Sequence, residues 1–254
     1  MNLSQALTKA FDTVSETPSM LIPSVVPFVI KVASSLADYH HTFQTDVARF
    51  FSEAPEAMEP EEAFRIMEPF FDRIVQDVTL MAAVDLLAWL AGVVAFSMVI
   101  ALTAAHIQGK EMSLSGALHS TSRKLLGLIA ASAVVWVLIR MGFCALCIGA
   151  FLIWVLLALV RQGIIVDGLG IGESFSQSYN LARVNFFDIM LVLLMFFLVK
   201  LFLGFIPFIG DGLGYFVDVF SVTVLTILYF DRKELKLPSA GVSPSGQPTL
   251  PETP

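Results

Sequence analysis

Charge is scarce in this chain. Charged residues occupy 15% of its 254 positions and hydrophobic residues 56%, whereas a soluble domain averages about 25% charged and roughly 45–50% apolar. That balance excludes an ordinary water-soluble globule. Positive charge is scarcer still: 15 Lys and Arg face 22 Asp and Glu, for a formal net charge of −7. Binding a phosphate backbone needs a basic patch, so nucleic acid is not an expected partner. Two cysteines are too few for a disulfide framework and supply only half the ligands of a four-cysteine zinc site. Four histidines assemble no Ser-His-acid arrangement, and no reaction or transported substrate is named by any motif.

What the chain does have is long apolar runs. A bilayer core is about 30 Å thick, so a helix crosses it with about 20 predominantly apolar residues. Six runs qualify: Ser19 to Ala37, Thr79 to His106, Lys124 to Met141, Phe143 to Ile165, Asn185 to Phe205 and Gly210 to Phe230. The first is too far from the N-terminus, and too interrupted by Pro23 and Pro27, to be a cleavable signal peptide. The expected class is an all-α polytopic membrane protein, with residues 1–236 as a single helical membrane domain.

Lys and Arg flank the cytoplasmic ends of spans. An inside N-terminus places Lys9, Lys110, Arg123, Lys124, Arg161, Arg183, Arg232, Lys233 and Lys236 on the cytoplasmic face, against Arg49, Arg65, Arg73 and the boundary residue Arg140 opposite. Six spans then return the C-terminus to the cytoplasm, and the expected location is the cell membrane.

Three segments share an apolar-Ser-x-small-apolar core shortly before a span: Leu3-Ser4-Gln5-Ala6-Leu7, Leu114-Ser115-Gly116-Ala117-Leu118 and Phe175-Ser176-Gln177-Ser178-Tyr179. Such repetition marks a repeated structural unit, here a short amphipathic interfacial helix ahead of spans 1, 3 and 5. The expected apolar faces are Leu3, Ala6, Leu7, Ala10, Phe11 and Val14, then Leu114, Ala117, Leu118, Thr121 and Leu125, then Ile171, Phe175, Tyr179, Ala182 and Phe186. These helices serve as elbows that orient the next span, or as lateral gates or a docking ring.

Between spans 1 and 2, residues 38–77 form an acidic extracytoplasmic segment with ten Asp and Glu. Phe64, Met67, Phe71, Ile74 and Val78 predict an amphipathic helix from about Glu61 into span 2, kinked or restarted at Pro69. It caps its own bundle or meets a partner protein. The tail, 237–254, has almost no large apolar residue and is expected to be flexible.

Ionisable residues inside spans are costly and count as functional candidates. Lys31, Asp85, Lys200 and Asp218 fall at similar depth in spans 1, 2, 5 and 6. They form either a structural ion-pair cluster with snorkelling lysines or part of an ion or proton path. Cys144-x-x-Cys147 lies in the hairpin between spans 3 and 4, as small apolar membrane residues or a local disulfide outside the cytoplasm. His40 and His41 near Asp38 and Asp46 lack the spacing of a metal site. Gly168-Leu169-Gly170-Ile171-Gly172 follows a membrane helix rather than a strand, so it is a turn and not a phosphate loop. No metal or cofactor is expected.

The run from Arg161 through Asp167-Gly168-Leu169-Gly170-Ile171-Gly172-Glu173-Ser174-Phe175 to Ser178-Tyr179-Asn180-Leu181-Ala182-Arg183-Val184-Asn185-Phe186 resembles the membrane domain attached to some bacterial glycerophosphodiester phosphodiesterases and related bacterial and archaeal polytopic membrane families. The likeness spans Lys110 to Phe230, with Asp167 where those families carry an acidic residue, often Glu. The long acidic segment departs from their pattern. Catalysis in that family belongs to a separate soluble barrel of roughly 250 residues, for which these residues leave no segment. The resemblance therefore carries over no catalytic residue and implies no enzyme. Two function classes lead: a non-enzymatic scaffold, accessory subunit or lipid-interacting protein, and a small permease or channel built on the intramembrane charges; membrane-embedded enzyme activity on lipid is a third, suggested only by the family resemblance. Membrane lipids and a protein partner or second copy are the expected partners.

Overall fold

Prolines shape the first span. The computed structural model describes residues 2–41, 60–144 and 147–236. In it, helix α1 (Leu3–Glu16) gives way at Pro18 to a 3-10 turn, Pro18–Ser24, and then to α2 (Val25–His41). Pro27 is the third residue of α2, where its missing N–H falls among amides that lack an intrahelical partner anyway. Residues 42–59, within the acidic segment, and the tail beyond 236 lie outside the description.

The remaining elements are α3 (Pro60–Ile107), α4 (Leu114–Ser122), α5 (Leu125–Cys144), α6 (Cys147–Leu156), α7 (Val160–Val166), α8 (Ile171–Val184), α9 (Phe186–Leu203) and α10 (Gly210–Lys236). No strand occurs among the described residues. Six segments are long and apolar enough to cross a bilayer: Pro18–Leu36, Thr79–Ile107, Leu125–Gly142, Gly149–Val166, Phe186–Leu203 and Gly210–Glu234. The chain is an all-helical, multi-pass membrane protein. Helix α3 is 48 residues long, about 72 Å at ~1.5 Å per residue, and extends well beyond one bilayer. The restart expected at Pro69 does not occur, because one proline deletes a single rung of the ladder and the flanking turns carry on.

Helix α10 is the axis of the bundle, packed by α1, α2, α3 and α9. Spans 2 and 6 are the most enclosed, with 67% and 61% of their apolar windows buried, whereas spans 1 and 5 bury 17% each. Two core clusters follow. One joins Met20, Val99, Ile100, Leu128, Ile164 and Val219; the other joins Ala6, Val155, Leu159, Ile189, Leu228 and Tyr229.

The three segments with the shared pattern are the short helices α1, α4 and α8, each just before a candidate span. In α1 the buried residues Ala6, Ala10 and Val14 lie on the expected face, though Phe11 at its edge is 63% exposed. Helix α4 buries Ala117 and Thr121. Helix α8 departs from expectation, burying Ser174, Ser178, Leu181 and Ala182 while Ile171 and Tyr179 are exposed. The reason lies in span 4. Expected as one helix, it breaks between α6 and α7, where Val160 N–H bonds the Leu157 carbonyl rather than that of Leu156. Ser178 fills the gap: its hydroxyl donates to the Leu156 carbonyl (2.9 Å) and accepts from Leu159 N–H (3.1 Å). Polar backbone in a membrane needs such a partner, so the serine edge of α8 turns inward.

Small residues set the closest approaches. A Cβ on Gly142 of α5 would stand 2.7 Å from the Ala150 backbone of α6, and one on Gly212 of α10 would stand 2.8 Å from the Phe28 ring. The first contact is with main chain and cannot yield by a rotamer change. Gly142→Ala is therefore expected to cost about 1–3 kcal/mol. Gly127→Ala, with nothing within 4 Å of the added carbon, should be neutral or stabilising. Thermal unfolding of both variants in detergent checks this; an unchanged Gly142→Ala melting temperature would contradict the packing.

Candidate functional site

Two polar centres stand at different depths of the bundle. The first lies within the spans. Lys31 Nζ is 2.6 Å from Asp85 Oδ1, and Lys200 Nζ is 2.9 Å from Asp218 Oδ2 and 3.1 Å from Oδ1. The four residues of similar depth thus form two ion pairs, one tying α2 to α3 and the other α9 to α10. Pairing inside the bilayer offsets the cost of each isolated charge.

The pairs border a partly open cavity of about 350 Å3 lined by residues of α2, α3, α7, α9 and α10. Lys31, Lys200 and Asp218 line it, together with Trp89, Phe96, Asp211, Tyr215 and Arg161; Asp85 does not line it, as its carboxylate sits on the outward side and is 63% exposed. Arg161, expected among the cytoplasmic flanking charges, is instead on the cavity wall. Its guanidinium carbon lies 5.9 Å from the Phe96 ring centroid, within the field of Asp218. A count of flanking cations misplaces it because α7, restarting after the break in span 4, carries it inward. Tyr215 stacks on Phe96 with ring centroids 6.0 Å apart. Its position on α10 one turn before Asp218 is a signal that spacing alone contained.

The second centre gathers where α7 ends. Asp167 follows the last turn of α7, and Gly168 takes a φ of +68°, the left-handed conformation that glycine adopts without strain. The Asp167 carboxylate, 13% exposed, accepts from Lys233 Nζ (2.6 Å), the Tyr229 hydroxyl (2.6 Å) and Gln177 Nε2 (2.9 Å). One side chain therefore joins α7, α8 and α10. Arg232 Nη2 meets Asp188 Oδ2 at 2.6 Å, adding α9. Lys124 Nζ donates to the carbonyls of Ile164 (3.0 Å) and Ile165 (2.8 Å), covering the orphan acceptors at the end of α7. Burial pushes the Lys124 ammonium below its ordinary range, with Asp167 opposing. For Asp167, burial pushes up, but the donors Lys233, Tyr229 and Gln177 together hold it below the usual carboxylate range. A second cavity, about 530 Å3, adjoins this clasp and is lined by Glu173, Gln177, Asn180 and Lys233 among others.

Cys144 ends α5 and Cys147 begins α6, but their side chains, like those of His40 and His41, lie outside the described residues. No group of three His, Cys, Asp or Glu placed to hold a metal occurs among the described residues. No family model matches the chain, and searches of curated proteins and of solved structures find no match.

The sign of the acid response follows from Asp167. Its folded pKa lies below the unfolded value of about 3.9, so its contribution is complete above that value and is lost as pH falls through the folded one. Asp167→Asn is expected to lower stability at neutral pH by about 1–3 kcal/mol. It should also shrink the further loss below about pH 4, because the amide has no proton to take up. Detergent melting curves across that range test it; an identical acid profile in wild type and variant would count against the clasp.

Proposed function

We propose that this chain is a non-enzymatic membrane protein that takes a small polar solute or a lipid headgroup into the cavity bordered by Lys31, Arg161, Lys200 and Asp218, in the manner of a small permease or lipid-handling protein. The observation that carries this reading is the cavity itself. At about 350 Å3 it falls in the range of small-molecule sites, roughly 300–1,000 Å3. It lies at bilayer depth, where ionisable side chains usually mark a solute path. A scaffold or accessory subunit would draw on the same ion pairs, which are complete without a ligand, yet it leaves the cavity and Arg161 without a purpose. The positive-inside distribution supports cytoplasmic termini. With the termini there, the mouth near Gly210 and Asp211 faces outward and the Asp167 clasp faces the cytoplasm.

Reconstitution tests the proposal. Purified protein in liposomes is expected to conduct or move at least one of a panel of ions, phosphate esters and amino acids faster than empty liposomes, recorded as electrogenic current or tracer uptake. Asp218→Asn, which removes the counter-charge of Lys200, should cut that movement at least tenfold. No movement above empty vesicles, together with a stoichiometric protein partner in a mild-detergent pull-down, would favour the scaffold instead.

A further inference from the structure

Two of the three cations at the cavity already hold a carboxylate: Lys31 has Asp85 at 2.6 Å, and Lys200 has Asp218 at 2.9 Å. Arg161 is the third. It stands against the Phe96 ring, and its guanidinium has no hydrogen-bond partner among the described residues. The Tyr215 hydroxyl on the same cavity wall has none there either. A guanidinium offers five N–H donors, and unmet donors shielded from water are costly. Asp211 does not answer them. It is exposed in the first turn of α10, about 10 Å along the helix axis from Asp218 at ~1.5 Å per residue. The interior of the cavity is thus left with one uncommitted positive charge and a neighbouring hydroxyl donor.

Resting on the reading of this cavity as a ligand site, we propose that it is an oxyanion site, in which a phosphate or carboxylate group sits on the Arg161 guanidinium with the Tyr215 hydroxyl as second donor. The planar fork of an arginine matches either group in bidentate fashion, and the neighbouring Phe96 ring, its centroid 5.9 Å from the guanidinium carbon, offers no competing carboxylate. A cationic ligand beside Arg161 would have to displace Lys200 from Asp218, the other lining carboxylate, Asp211, being exposed in the first turn of α10. Room is kept by two glycines: a Cβ on Gly92 would stand 3.2 Å from the Tyr215 ring, and one on Gly214 would stand 3.1 Å from Lys200 Cε. Tyr215 and Lys200 therefore lie flat on the neighbouring helices, and the free volume equals roughly ten waters at ~30 Å3 each.

The group can belong to a free solute or to a lipid headgroup, and binding to purified full-length protein in detergent separates the two. One arm titrates inorganic phosphate and acetate by calorimetry. The other adds phosphatidylglycerol or, as the phosphate-free counterpart, diacylglycerol, and reads retained lipid by native mass spectrometry. Wild type is expected to bind in one arm at least, with phosphatidylglycerol retained over diacylglycerol if the lipid is the source. Arg161→Gln should weaken that binding about ten- to a hundredfold, Tyr215→Phe several-fold, and Arg123→Gln, an exposed residue ending α4, not at all. Should Arg161→Gln fail to give a monodisperse protein, Arg161→Lys, which keeps the charge and loses the fork, and Tyr215→Phe decide the matter. Absence of wild-type binding in both arms, equal retention of the two lipids without a solute signal, or variants that bind as wild type would overturn the oxyanion site. If Asp218-dependent movement of some other solute persisted alongside such a result, only the ligand class would fall; without it, the ligand-site reading would fall too.

Discussion

A backbone amide or carbonyl inside a bilayer has no water to turn to, and the fourth span opens its own ladder between Leu156 and Val160. Much of the surrounding structure answers that break. Ser178 reaches in from α8 to take both freed groups, which obliges α8 to present its serine edge rather than its aromatic one. At the far end of α7, seven residues on, the carbonyls of Ile164 and Ile165 are covered by Lys124, and the chain leaves through Asp167 and a left-handed Gly168. A helix of only seven residues has little cooperative stability of its own. Its position is fixed by what holds its two ends.

Those end contacts explain the distribution of charge. An isolated charge in the spans is expensive, and Lys31 and Lys200 each meet a carboxylate of a neighbouring helix. The pairs act between elements that also pack closely, α2 on α3 and α9 on α10. Spans 1 and 5 bury little of their apolar windows, and Lys31 and Lys200 tie them to the more enclosed spans 2 and 6. Arg161 breaks that pattern by lacking a hydrogen-bonded acid, and it does so on the wall of a cavity.

The helical class and the six spans were legible because they depend on long-range averages: twenty apolar residues in a row mean the same thing in any packing. Depth was legible too, since rise per residue places Lys31, Asp85, Lys200 and Asp218 in one layer. Which lysine takes which carboxylate was not, because that depends on helix rotation and adjacency. Arg161 reads as a flanking charge on sequence because it lies only four residues before the end of its span, and nothing in composition announces a helix that stops and restarts. The face of α8 was misjudged for a related reason. Apolar periodicity selects Phe175 and Ala182, which do pack inward, but also Ile171 and Tyr179, which are exposed, whereas the broken backbone selects Ser178. Asp167 was noticed only through a family resemblance, and its three donors come from positions 10, 62 and 66 residues away, a separation no local pattern encodes.

The two polar centres are mechanically one system. Helix α7 carries Arg161 to the cavity and ends at Asp167 in the clasp; α10 carries Asp218 to the cavity and Tyr229 and Lys233 to the clasp. Arg161 and Asp167 are six residues apart, about 9 Å along an axis at ~1.5 Å per residue, and Asp218 and Tyr229 are eleven apart, about 16 Å. Both helices are short enough at these separations to move as rigid rods. A shift of α7 against α10 that brings a ligand closer to Arg161 must therefore also strain or relax the contacts of Asp167 with Tyr229 and Lys233. Because those contacts are short and charge-assisted, they resist such motion more than apolar packing would. The cavity and the clasp thereby share two helices, α7 and α10.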